Sequence, residues 1–199
     1  MSEAISQSAR AAAGITAAIL VVAYVMHYYA KGTKRQGLYL THWNYVGVTA
    51  LLAAIAMTAC TPGRVLQGAV TVSILSLFVI AARLLFLRVA MDSPTDTAWD
   101  VHTHVIVPVL PLVVVVMVAA VVRPPLGTLA APIGAAVVTM LSWLAINAYA
   151  QHTHAKKKWV YGKAANPRLQ SGRKQLLLST VLVVACAVSV TALSQTHRA

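Results

Sequence analysis

Residues 101–122 read VHTHVIVPVLPLVVVVMVAAVV, a run without a single Asp, Glu, Lys or Arg. About twenty such residues, wound as an α-helix, cross the roughly 30 Å hydrocarbon core of a bilayer. A helix apolar on every side belongs in lipid or in the middle of a large core. The stretch is therefore predicted to be a transmembrane helix whose first turn carries a polar His-Thr-His segment.

Five further apolar runs, over residues 11–29, 40–60, 65–86, 126–150 and 176–193, have comparable length. The chain has 199 residues, 59% of them hydrophobic and 10% charged, with a mean hydropathy of +0.73. That leaves too little polar surface for a water-soluble globule. The expected fold is all-α, a polytopic membrane protein built as a bundle of six transmembrane helices. No linker or repeat divides it, and the longest polar stretch, 151–175, is loop-sized, so residues 1–199 are expected to form a single domain. The first run exceeds a signal-peptide core and ends in Tyr28-Tyr29-Ala30-Lys31 rather than a cleavage site, so it is expected to remain as a helix.

The formal net charge is +12, yet the basic residues flank apolar spans instead of forming a nucleic-acid-binding stripe. Lys31, Lys34 and Arg35 follow the first run. Lys156, Lys157, Lys158, Lys163, Arg168, Arg173 and Lys174 lie between the fifth and sixth. An even number of crossings puts both clusters on one face, while Arg10, Arg64, Arg123 and Arg198 fall on the other. The positive-inside rule makes the first face cytoplasmic and both termini extracytoplasmic or lumenal. Cys60 and Cys186 are isolated, with no metal or redox spacing.

The same crossing count gathers His27, His42, His102, His104, His152 and His154 on the cytoplasmic face. Tyr28, Tyr29, Tyr39, Trp43, Tyr45, Trp99, Tyr149, Trp159 and Tyr161 lie at the same level. An interfacial aromatic belt normally marks both membrane faces, so the asymmetry singles out one end of the bundle.

Within Tyr39-Leu40-Thr41-His42-Trp43-Asn44-Tyr45, Thr41 and Asn44 are three apart and share a helix face. They project a hydroxyl and an amide together; alternatively, Thr41 caps the helix or bonds back to a carbonyl. In Trp99-Asp100-Val101-His102-Thr103-His104, the four-residue spacing lets the Asp100 carboxylate orient the His104 imidazole, with His102 on another face. Pro108 has no N–H for the carbonyl of His104, and Pro111 none for that of Val107, so this helix is expected to kink and open beside His104.

Asn147, Gln151 and His154 form a polar stripe at helical spacing, and such groups at membrane depth face the bundle interior. Arg83, near the end of the third run, either snorkels to the interface or binds an anionic headgroup or carboxylate. Phosphate-binding glycine loops, serine elbows and His-Glu-x-x-His zinc signatures are not found. No cofactor and no metal ligand set is expected.

Three segments of the chain resemble the androgen-induced protein family, which includes the androgen-dependent regulator of tissue factor pathway inhibitor. Tyr39-Leu40-Thr41 is similar to the family segment bearing a threonine nucleophile. Trp99 through Pro108 is similar to its tryptophan, histidines and proline, one histidine being catalytic. His152 to Arg173, with Trp159-Val160-Tyr161, is similar to the loop after its fifth helix, with Gly162 where the family favours proline.

The resemblance implies a multi-spanning threonine hydrolase of fatty acid esters, such as those of hydroxy fatty acids. It gives Thr41 the role of nucleophile and His104 that of base. The chain is slightly shorter than the family between tryptophan and proline, which leaves His102 as an alternative.

A threonine hydroxyl needs a neighbouring base, and His104 steered by Asp100 can serve if the second and fourth helices touch. Asn44 would orient the hydroxyl or the oxyanion. Thr41, Asn44, Asp100, His104 and Asn147 then frame a pocket, with Gln151, His154, Arg83, Trp43 and Trp99 toward the substrate. The partners expected are membrane lipids and a lipid ester substrate, without nucleic acid. Two rivals stand: a haem or metal protein drawing ligands from the histidine cluster, and a noncatalytic membrane partner or channel subunit.

Overall fold

The computed structural model describes residues 5–31, 39–58, 61–85, 94–119, 122, 130–153 and 169–193. All the regular structure among them is helical. The helices are α1 (Gln7–Lys31), α2 (Leu40–Met57), α3 (Pro62–Leu85), α4 (Pro94–Val101), α5 (Val107–Ala119), α6 (Ala130–Thr153) and α7 (Gln170–Leu193). Between α4 and α5 the chain continues without a break through a π turn, His102–Ile106. The two segments therefore make one long helix, and the architecture is an all-α bundle, with six long helices among the described residues.

Among the described residues five spans, Gln7–Tyr29, Leu40–Met57, Pro62–Ala81, Thr97–Ala119 and Ala130–Ala150, are long and apolar enough to cross a membrane. The chain is an integral membrane protein. The outer faces present Ile15, Ile19, Met26, Val116, Met117, Val138 and Leu141. In water so much exposed apolar surface would drive aggregation, whereas lipid solvates it.

The helix ends follow local chemistry. Ser6 Oγ accepts the amide of Ala9 and caps α1. Pro62 opens α3, where the missing N–H is harmless. Thr58, with extended backbone, closes α2 by bonding the carbonyl of Ala54 through its amide and its hydroxyl. The guanidinium of Arg10 reaches across from α1 to donate to the carbonyl of Ala56, a cation on the negative end of α2. Several helices begin before the apolar runs do, α4 at Pro94 and α7 at Gln170. Hydropathy sees only the lipid-facing part of a helix that continues through the interface.

The span of α3 is the most deeply buried, packing against α2, α5, α6 and α7, while α1 packs on α2. Leu66, Ala69, Val70, Ile74 and Phe78 of α3 meet Val48, Leu51, Leu52 and Ile55 of α2 and Val107 and Val115 of α5 in one core. Small residues let backbones approach: a Cβ on Gly14 would lie 3.2 Å from that of Ala56. The π turn contacts both α2 and α3, which sets the stage for the polar residues at this end.

Candidate functional site

Thr41 lies in the first turn of α2 and is buried, at 9% exposure. Its Oγ1 is 3.1 Å from Nε2 of His104, a residue 63 positions away in the chain. The helix cap falls on Tyr39, which makes no side-chain capping bond. The hydroxyl thus faces a ring on another helix, and the second and fourth long helices meet at this point.

The other nitrogen of His104, Nδ1, is 3.0 Å from Oδ1 of Asp100 and 3.1 Å from the Asp100 carbonyl. Thr103 Oγ1 is also 3.1 Å from Nδ1 while donating to the carbonyl of Trp99. Two acceptors on Asp100 fix the proton on Nδ1, so the lone pair of Nε2 points at the Thr41 hydroxyl.

The Asp100 carboxylate is held in turn. Arg83 of α3 donates Nε to both carboxylate oxygens at 3.0 Å and Nη2 to Oδ2 at 2.8 Å. This fork-on-carboxylate geometry is the strong form of such a bond. Arg83 and Asp100 keep 22% and 16% side-chain exposure. The carboxylate that Arg83 binds is the protein's own, and its Oδ1 is shared between Arg83 Nε and His104 Nδ1.

Local backbone chemistry aims His104. With Pro108 unable to donate to the His104 carbonyl, the helix widens, and Val107 N–H reaches back to His102. The sequence predicts a kink here; the structure takes up the missing bond as one π turn. That turn presents His104 to Thr41 and His102 to Tyr45.

Tyr45 donates to the carbonyl of Leu20 at 2.8 Å, so its oxygen accepts from His102 Nε2 at 3.1 Å. His102 is thereby committed to Tyr45, and the histidine at Thr41 is His104. His42 Nδ1 bonds the hydroxyl of Tyr24. Trp99 stacks on His27 at 3.9 Å and lies 5.2 Å from the ring of His102. Among the described residues no three His, Cys, Asp or Glu side chains come together as a metal site.

Asn44 is fully buried, its Oδ1 accepting the hydroxyl of Ser76 on α3 at 2.9 Å. Ser76 has no place in the sequence reading. The only hint is Ser73 and Ser76 three apart in an otherwise apolar helix, a pattern equally suited to bonding back to the helix's own carbonyls. Trp43 packs at the edge of the core. Asn147 is buried in α6 and donates to the carbonyl of Trp143 one turn back. His154 and the segment with Trp159-Val160-Tyr161 and Gly162 lie outside the described residues, as does the side chain of Gln151.

The arrangement is a hydroxyl, an imidazole, a carboxylate and a guanidinium in series, within a helical membrane protein. Compared with protein-family models, curated proteins and solved structures, the chain finds no match.

Proposed function

We propose that the chain is a membrane-embedded hydrolase of lipid esters in which Thr41 is the nucleophile and His104 its base. The observation that carries this reading is the 3.1 Å contact between Thr41 Oγ1 and His104 Nε2, with the far side of the ring held by Asp100. Nucleophile, base and orienting acid in series is the arrangement by which a hydroxyl is activated.

In the first half-reaction the Thr41 oxygen attacks the ester carbonyl carbon while its proton passes to His104 Nε2. The tetrahedral adduct collapses, the carbon–oxygen bond to the alcohol breaks, and His104 returns the proton to the departing oxygen. Water then attacks the acyl-threonine with the same base. The carboxylic acid leaves and the Thr41 hydroxyl is restored. The imidazolium formed twice in each cycle sits against the Asp100 carboxylate.

Lipid esters suit the setting. The site lies at the end of the apolar spans, and an apolar groove of about 300 Å3, lined by residues including Tyr24, Tyr45, Val46 and Thr49, opens between α1 and α2 along the helix that carries Thr41. An acyl chain lying there would pass Tyr45, four residues beyond Thr41 on the same helix. The resemblance to the androgen-induced protein family points the same way and suggests fatty acid esters of hydroxy fatty acids as substrates. The basic flanking loops orient the site toward the cytoplasm.

The test is ester turnover by purified protein in lipid nanodiscs. Thr41→Ala and His104→Ala are expected to reduce kcat to background, and wild-type turnover by either would refute the assignment.

A further inference from the structure

Resting on the hydrolase reading, we infer that the side-chain amide of Asn44 is the donor that receives the substrate's carbonyl oxygen, and that Ser76 is the residue that aims it.

Asn44 is at 0% exposure. Its Nδ2 has no hydrogen-bond partner among the described residues. Natural proteins rarely leave a buried donor unpaired, and those that persist call for an explanation. The orientation of the amide follows from its other end: Ser76 Oγ donates to Oδ1 at 2.9 Å, so the donor end is the one left over.

Asn44 lies three residues after Thr41 on the same helix face, a spacing that brings side chains within about 5–6 Å at Cβ. When Thr41 Oγ bonds to a carbonyl carbon, the oxygen that becomes negative is attached to that same carbon. An unpaired N–H one turn away can meet it. The charge is then stabilised by a fixed dipole in a dry site, where such stabilisation is strongest. Asn44 would touch the reacting atoms, whereas Ser76 acts through Asn44 as a positioning residue. His104 cannot fill this role, because its Nε2 takes the proton of Thr41, nor can Asp100, whose carboxylate accepts from the other ring nitrogen and from Arg83.

The test separates transition-state from ground-state binding in purified protein. A trifluoromethyl ketone of a fatty acid, which forms a tetrahedral adduct with the nucleophile, is compared with a non-hydrolysable ether of the same chain. Asn44→Ala is expected to lower kcat by about 10²–10³, leave KM and ether affinity within about twofold, and weaken the ketone by the same factor as kcat. Ser76→Ala, which deletes one oxygen from a small side chain, is expected to lower kcat about tenfold with the same split.

Ketone affinity and kcat at wild-type level in both variants would overturn the inference while leaving Thr41 and His104 in place. So would a parallel loss of ether and ketone binding. Should Asn44→Ala not fold, Ser76→Ala alone decides between these outcomes. A wild-type protein with no Thr41-dependent turnover overturns the hydrolase reading itself, and this one with it.

Discussion

Replacing Asp100 by Asn tests the chain of contacts at its middle. The substitution keeps the shape but exchanges one carboxylate oxygen for an amide, weakening the bond at 3.0 Å to His104 Nδ1 and removing the charge that faces the imidazolium. In the serine hydrolases the equivalent change lowers kcat by about 10⁴, chiefly through the wrong tautomer. Here the Asp100 backbone carbonyl, 3.1 Å from the same nitrogen, survives the substitution and still favours the proton on Nδ1. The expected loss is therefore smaller, about 10²–10³ in kcat, or roughly 3–4 kcal/mol in the barrier.

Stability changes by a separate route. Arg83 loses its carboxylate, and breaking a buried pair costs about 3–5 kcal/mol. With 22% and 16% exposure for the two side chains, solvent screening reduces this to roughly 1–3 kcal/mol. Adding Arg83→Met removes the cation that has lost this carboxylate, so the double variant is expected to regain part of the thermal stability while kcat stays low. Steady-state ester hydrolysis paired with thermal unfolding in detergent reads both quantities. Asp100→Asn turning over at the wild-type rate would refute the role given to Asp100. Recovery of activity in the double variant would show that the loss was structural.

Two further outcomes follow from the same geometry. His102→Ala removes the bond to Tyr45 and is expected to lower stability by about 1 kcal/mol while leaving kcat within about threefold; a loss equal to that of His104→Ala would reverse the assignment of the two histidines. Pro108→Ala restores an amide for the His104 carbonyl, closes the π turn toward regular helix and shifts His104 from Thr41. Its kcat is expected to fall about 10–100-fold with thermal stability unchanged or raised, and an unchanged kcat would detach the π turn from the site.

Much of the fold is legible because lipid imposes a simple rule: a span must be long, apolar and helical. The helix beginning at Pro94 escaped that rule, since Pro-Thr-Asp-Thr-Ala-Trp-Asp is polar and carries no hydropathy signal. Within the site, Asp100 with His104 and Thr41 with Asn44 were readable as helical neighbours. The contact between Thr41 and His104 was not, because which helices touch depends on packing rather than on periodicity. The same limit hid Ser76 and the partner of Arg83. Central α3 is buried on most sides, so its sequence has no polar face to mark where Ser76 and Arg83 point.

The most direct measurement of the central claim is covalent labelling of the purified protein with a fluorophosphonate, located by peptide mass spectrometry. The account predicts a phosphonyl adduct on Thr41 that disappears in His104→Ala but persists in His102→Ala. An adduct on another residue in an active preparation, or labelling of Thr41 that does not depend on His104, would contradict it.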